Sequence, residues 1–199
     1  MFQKVVNRSY TEGFPGQMTF GGPYRAKPGR ISSASGNTIG LVFGVSGEVP
    51  NGGSTQAVME LRAAVGGTTF LGILGHPQHY ALNGTVSGGP LAPSIDLPQW
   101  SEGEFFDMVT GMCVAIYNET TSTKAVAYGD SLAYCTTATT ALQNPQSVPV
   151  GGIISVPAGG SVPAGFQAIP NSKVRNPISL AASAAGAPVA GLTNIQLTN

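Results

Sequence analysis

Charge is what this sequence has least of. Its 199 residues include nine Lys or Arg and nine Asp or Glu, 9% of the chain with a formal net charge of zero, against roughly 25% charged residues in an average soluble domain. Binding to nucleic acid or anionic lipid is therefore not expected, because both depend on clustered Lys and Arg and the chain has no such cluster. Long hydrophobic runs are missing too. No stretch of about 18 apolar residues occurs, so no transmembrane helix is expected. The opening MFQKVVN has no apolar run of the kind that makes a signal peptide, and synthesis in a cytoplasm is the simplest expectation. Cysteine is limited to Cys113 and Cys135. They form neither a CxxC nor a zinc-ligand pattern and are expected to be buried thiols, not a disulfide.

Glycine, with 28 residues, and proline, with 15, are abundant, and Ala, Ser and Thr fill much of the remainder. The length is enough for a domain with its own core. A surface this poor in charge is weakly solvated unless much of it is covered, which points to an assembly component more than to a free enzyme.

The segment RSYTEGFPGQMTFGGPYRAKPGRI, residues 8–31, concentrates Pro15, Pro23 and Pro28 with several glycines, yet it also carries Tyr10, Phe14, Phe20 and Tyr24. Residues 1–37 show no sustained period of 2 or 3.6 and read as an extended N-terminal arm. From residue 38 to 199 short apolar runs alternate with turn signals about every ten residues, the pattern of an all-β sandwich or barrel. The runs are IGLVFGV (39–45), TTFLGIL (68–74), FFDMVTGMCVAIY (105–117), KAVAYGDSLAYC (124–135), GGIISV (151–156) and TNIQL (193–197). Around Met112 to Tyr117 both alternating sets are apolar, so that strand is expected to be buried on both sides or to lie at a subunit contact. Asn51-Gly52 and Asn83-Gly84 are tight-turn pairs, and Gly129-Asp130 reads as a hairpin corner.

STQAVMELRAAV (54–65) fits two templates: a capped helix with Ala57, Val58, Leu61, Ala64 and Val65 on one face, or a strand with Val58, Glu60 and Arg62 opposed to Ala57, Met59 and Leu61. The Ala- and Gly-rich SLAASAAGAPVAG (179–191) has little bulk and is expected to be a loop before the last strand.

Motifs that carry chemistry are mostly missing. Around Ser46, GVSGE lacks the second glycine of a nucleophile elbow and a following helix. Phosphate-cradling and dinucleotide glycine motifs do not occur. His76 and His79 flank Pro77 in GHPQHY with no third ligand nearby, and Glu102, Glu104 and Asp107 in WSEGEFFD lack the pattern of a calcium loop. Trp100, beside a proline, reads as a core or interface anchor, with a sugar-stacking platform as the alternative. No catalytic residue, metal or cofactor is expected.

Four stretches carry a resemblance when taken in order. GGTTFLGILGHPQHYALNGTVSGGPLAPSIDLP (66–98), VTGMCVAIYNETT (109–121), VAYGDSLAYCTTATTAL (126–142) and GLTNIQLTN (191–199) resemble, in sequence and spacing, the head-decoration or structural cement proteins of tailed bacteriophages. The resemblance implies a compact β-barrel or jelly-roll-like (β-tulip-like) domain with little helix, made in the host cytoplasm and bound to the outer surface of a capsid. It implies a homodimer or homotrimer at capsid symmetry axes that staples neighbouring major capsid protein subunits, with no catalytic residues to carry over. An extended arm can add to a partner's sheet edges. Tyr10, Phe14, Phe20 and Tyr24 would then be anchors, and Arg8, Arg25 and Arg30 partner contacts. A carbohydrate-binding β-sandwich of a phage tail or fibre is the alternative, favoured by the Ser and Thr content and Trp100.

Overall fold

A computed structural model of the chain describes residues 13–50, 59–75 and 96–198, which contain strands, turns and bends and no α-helix. The strands are β1 (Tyr24–Ile31), β2 (Val42–Pro50), β3 (Met59–Val65), β4 (Phe70–Leu74), β5 (Glu102–Asn118), β6 (Lys124–Val126), β7 (Ser131–Cys135), β8 (Ile153–Val156), β9 (Phe166–Ala168), β10 (Ser172–Val174), β11 (Ile178–Leu180) and β12 (Val189–Leu197). The expected all-β class is what the chain adopts.

β5 is the spine, and its two halves serve different partners. In its first half Phe106 faces Ala26 of β1 on one side and Ile73 of β4 on the other. β1 pairs in parallel with β3, and β3 with β2 and β2 with β4 in antiparallel fashion, so these five strands close into a barrel. In its second half β5 pairs with β12 on one side, and with Met18 and β8 on the other. Beyond β8 lie β7 and β9, while β10 adds to β12. Val174 donates its N–H to the Asp130 carbonyl at 2.9 Å and accepts from Gly129 at 2.9 Å. β10 is thereby tied to the turn entering β7, and the second half also wraps around a core of its own.

Period-2 alternation along β5 distributes its side chains between the cores. Phe105 joins Ile31, Phe43, Leu71 and Leu74 inside the barrel. Phe106, Val114 and Ile116 join Leu132, Tyr134, Ile153 and Ile195 in the larger core. Of Met112 to Tyr117, expected to be covered on both faces, Met112, Cys113, Val114 and Ile116 are buried and Ala115 and Tyr117 partly buried. Both cysteines are buried free thiols, also as expected. The Tyr134 hydroxyl donates to the Gly67 carbonyl at 2.8 Å, and burial pushes its pKa up to about 12.

Two segments differ from their sequence reading, and one two-way reading is resolved. Residues 24–31, expected within the arm, are barrel strand β1, with Ile31 fully buried. Pro28, which lacks an N–H, is tolerated because among the described residues β1 pairs with β3 only at Arg30 and Ile31, and no ladder bond on that edge is asked of Pro28. Of the two-way stretch 54–65, residues 59–65 are a strand, in which Ala63 and Val65 point into the barrel. In 179–191 the expected loop is bounded by β11, whose Leu180 enters the larger core, and by the early start of β12. Gly129-Asp130 is a turn, with Gly129 at φ 86°, but it joins separate pairings: β6 pairs with β11, and β7 with β8 and β9. Asn51-Gly52, Asn83-Gly84, His76 and His79 lie outside the described residues.

The end of β5 is held by one buried amide. Asn118 donates to the carbonyls of Ser122 and Ala181, both at 2.7 Å, and its Oδ1 accepts from the N–H and hydroxyl of Thr120. Asn118→Leu would strand these groups, at about 1–3 kcal/mol for each left buried and unmatched. Urea denaturation should show a loss of about 3 kcal/mol, the effect of Thr120→Val being well under half of that.

Candidate functional site

Residues 13–23 follow β5 as an added strand-like segment. Gly16 donates to the Cys113 carbonyl at 2.8 Å, Cys113 returns a bond to the Gln17 carbonyl at 2.8 Å, and Thr19 donates to the Gly111 carbonyl at 3.0 Å. Opposite Thr19, Gly111 seats the Phe20 ring. A Cβ at Gly111 would come within 2.2 Å of that ring, so only glycine permits this approach. Tyr24, at the start of β1, tilts against Phe106 with ring centroids 6.0 Å apart.

Although held by the backbone, the segment leaves its apolar side chains open. Phe14, Met18, Phe20 and Tyr24 are between 40% and 58% exposed, and they make up four of the nine large apolar side chains exposed among the described residues. Large apolar side chains are thus concentrated in this segment of a charge-poor molecule. Phe14, Phe20 and Tyr24 were singled out by sequence; Met18 was not, because a lone methionine between Gln17 and Thr19 gives no pattern. Arg8 and Tyr10 lie outside the described residues.

The arginines differ from one another. Arg25 grips Asp107 of β5 side-on, through Nε and Nη2 at 2.8 Å each, and Lys27 meets the same carboxylate at 2.9 Å. These three form a positively charged edge next to the aromatics. Burial alone would push the Asp107 pKa up. The hydrogen bonds and charges of Arg25 and Lys27 together outweigh it and hold the carboxyl below its ordinary range. Because the folded pKa is the lower one, this contribution to stability is complete above the unfolded value near pH 4 and is lost as pH falls through the folded value. Thermal melts from pH 5 to 2 should therefore show a shallower decline for Asp107→Asn than for the parent chain.

Arg30 is at the other end of β1. Its Nε donates to the Trp100 carbonyl at 3.0 Å, and its guanidinium lies 5.8 Å from the centre of the indole. Trp100 is 44% exposed, so it is not a core residue. Arg62, which sequence reading placed only on one face of a possible strand, comes within 5.2 Å of the same ring.

The remaining candidates form no reaction centre. The Ser46 hydroxyl shares a hydrogen bond with Ser32 at 2.6 Å, and Glu102 and Glu104 alternate outward along β5. Among the described residues no group of three or more His, Cys, Asp or Glu could hold a metal ion, and no helix is long and apolar enough to cross a membrane. Besides Met18, sequence reading did not single out four exposed apolar residues, of which the most exposed are Tyr128, on the turn after β6, and Leu142, 96% exposed in the loop after β7. Both lie in turns, where no strand period marks which side chains are exposed.

Comparison with known proteins decides the family. The family model described as structural cement protein (E217 gp24/Pam3 gp6) matches residues 2–198. The chain belongs to the phage structural cement protein family. A search of curated proteins returned no match. As a cement protein it is a structural component of the virion that associates with capsid proteins and stabilises the capsid.

Proposed function

We propose that this cement protein binds the outer surface of a tailed-phage head and bridges neighbouring major capsid protein subunits, as a homodimer or homotrimer at symmetry axes. The observation that carries the reading is the half-exposed Phe14, Met18, Phe20 and Tyr24 along β5. Arg25 lies beside them, and Arg8 and Tyr10 precede them in the sequence. Completing the burial of each such side chain contributes about 1 kcal/mol, half the value for full burial. A single copy thus gains only a few kcal/mol from this surface. Repetition over a closed shell makes the sum large through linked binding.

Bridging requires contact at more than one place. Tyr128 and Leu142, on the turn after β6 and in the loop after β7, supply further exposed apolar tips. The experiment is to add the purified chain to heads that lack it and to follow both occupancy and the temperature of DNA release. Bridging predicts that release temperature rises with occupancy. Saturating occupancy with an unchanged release temperature would contradict it.

A further inference from the structure

Leu142 is almost wholly in solvent, yet the turn that carries it is tightly fixed. Thr140 donates to Gln143 Oε1 through both its N–H and its hydroxyl, each at 3.0 Å, and the N–H groups of Gln143 and Asn144 donate to the Thr140 carbonyl at 3.0 and 3.1 Å. Behind the tip the Asn144 amide brackets Val148, accepting from its N–H at 2.9 Å and donating to its carbonyl at 2.7 Å. A side chain held out in water on so firm a base contributes little to the domain's own core. It also loses little freedom when it is covered from outside.

A second exposed turn joins the first. Gly186 donates to the Pro145 carbonyl at 3.0 Å, which sets the turn of Ala184, Ala185 and Ala187, all exposed, against the Leu142 turn. The alanine turn is fastened in its own right to the end of β5, where the Ser183 hydroxyl donates to the Asn118 carbonyl at 2.9 Å. Neither turn is charged, and no charged residue occurs in the sequence between Asp130 and Lys173 or after Arg175. Lys173 and Arg175 belong to the far end of β12, beside Gln196, whereas the alanine turn leads into its beginning at Val189. On the 119–124 loop, whose Thr120 carbonyl accepts from the Ser183 N–H, Glu119 and Lys124 are paired with each other at 2.6 Å.

Taking the homodimer or homotrimer proposed above as given, we infer that these two turns form the contact between copies of this chain, with Leu142 of one copy meeting Leu142 of the next around the rotation axis. Rotational symmetry decides the occupant. A group close to such an axis meets its own copy, so a charge placed there faces a like charge where water has been displaced. An uncharged patch with an apolar tip pairs with itself without that cost. A charged partner surface would lose its hydration against these turns and find no opposite charge in return. Leu142 is thereby assigned to the neighbouring copy, and Tyr128 is left as the further apolar tip toward the capsid.

Sedimentation velocity of the full chain over a concentration series tests the contact. The parent chain is expected to self-associate. Leu142→Asp and Leu142→Lys each put like charges at the axis and are expected to weaken association at least 100-fold, without unfolding because the side chain touches no core. An equimolar mixture of the two variants sets opposite charges face to face and is expected to associate at least tenfold more tightly than either alone. A parent chain that stays monomeric, a Leu142→Asp variant that associates like the parent, or a mixture no tighter than its components would overturn the contact. Occupancy of heads, measured on the same proteins, separates this failure from that of the capsid reading. A monomeric parent that still fills heads overturns the self-contact alone, and if Leu142→Asp then empties them, the tip belongs to capsid protein instead. A parent that associates in solution but leaves heads empty keeps the self-contact and contradicts capsid binding.

Discussion

Replacing Phe14, Phe20 and Tyr24 together by serine is expected to lower affinity for heads by at least 100-fold while leaving the domain folded. Three half-exposed aromatic side chains contribute about 3 kcal/mol on completing their burial, and 1.4 kcal/mol is a factor of ten in binding. Their part in the domain's own stability is small by comparison. Phe20 lies over Gly111 and Tyr24 leans on Phe106, but all three keep about half of their surface in water. The melting temperature should move by only a few degrees. Quantifying head-bound against free protein, alongside a thermal melt of each variant, separates the two effects. A variant that binds normally would show that the β5 segment is not the contact. Truncation has to be planned around β1: removing residues 1–37 would take out a barrel strand with Ile31, whereas removing 1–12 leaves every described strand in place.

Phe105→Ala is expected to be the most damaging single change to the fold, costing about 3–5 kcal/mol. The ring is fully buried in the barrel and meets Phe43 with centroids 5.2 Å apart. Glycines pave its surroundings: a Cβ at Gly29 would reach within 3.1 Å of the ring, and one at Gly103 within 3.0 Å. Those glycines leave room for one large side chain and have none of their own to fill the space if it is removed. Since domains of this kind are stable by about 5–15 kcal/mol, the loss is a large share of the total. Guanidinium denaturation should show a lower midpoint, and Phe105→Leu should recover much of it.

The difference between these two variants reflects what the sequence made legible. β2, β4, β5, β7, β8 and β12 were visible because each has apolar residues in strand periodicity between glycine-rich turns. The family was visible because its motifs recur in order. β1 was hidden. Only Ile31 of its eight residues is fully enclosed, so Arg25, Lys27 and Arg30 break the apolar pattern, and Pro28 and Gly29 argue against a strand. Its place comes from pairing with β5 and β3, which is tertiary context that local propensity does not carry. The aromatics of residues 14–24 were visible as an anomaly, but the reason they can be displayed was not: Gly111, about ninety positions along the chain, provides the seat for Phe20. Arg62 was hidden for a similar reason. Its approach to Trp100 depends on β1 and β3 meeting in parallel at Arg30.

Imaging of decorated heads tests the central claim most directly. The account predicts this chain on the outer surface, in twos or threes about symmetry axes, with residues 14–24 buried against capsid protein and each copy touching two neighbouring capsid subunits. Density in which Phe14, Phe20 and Tyr24 face solvent, or in which each copy rests on a single subunit, would contradict it.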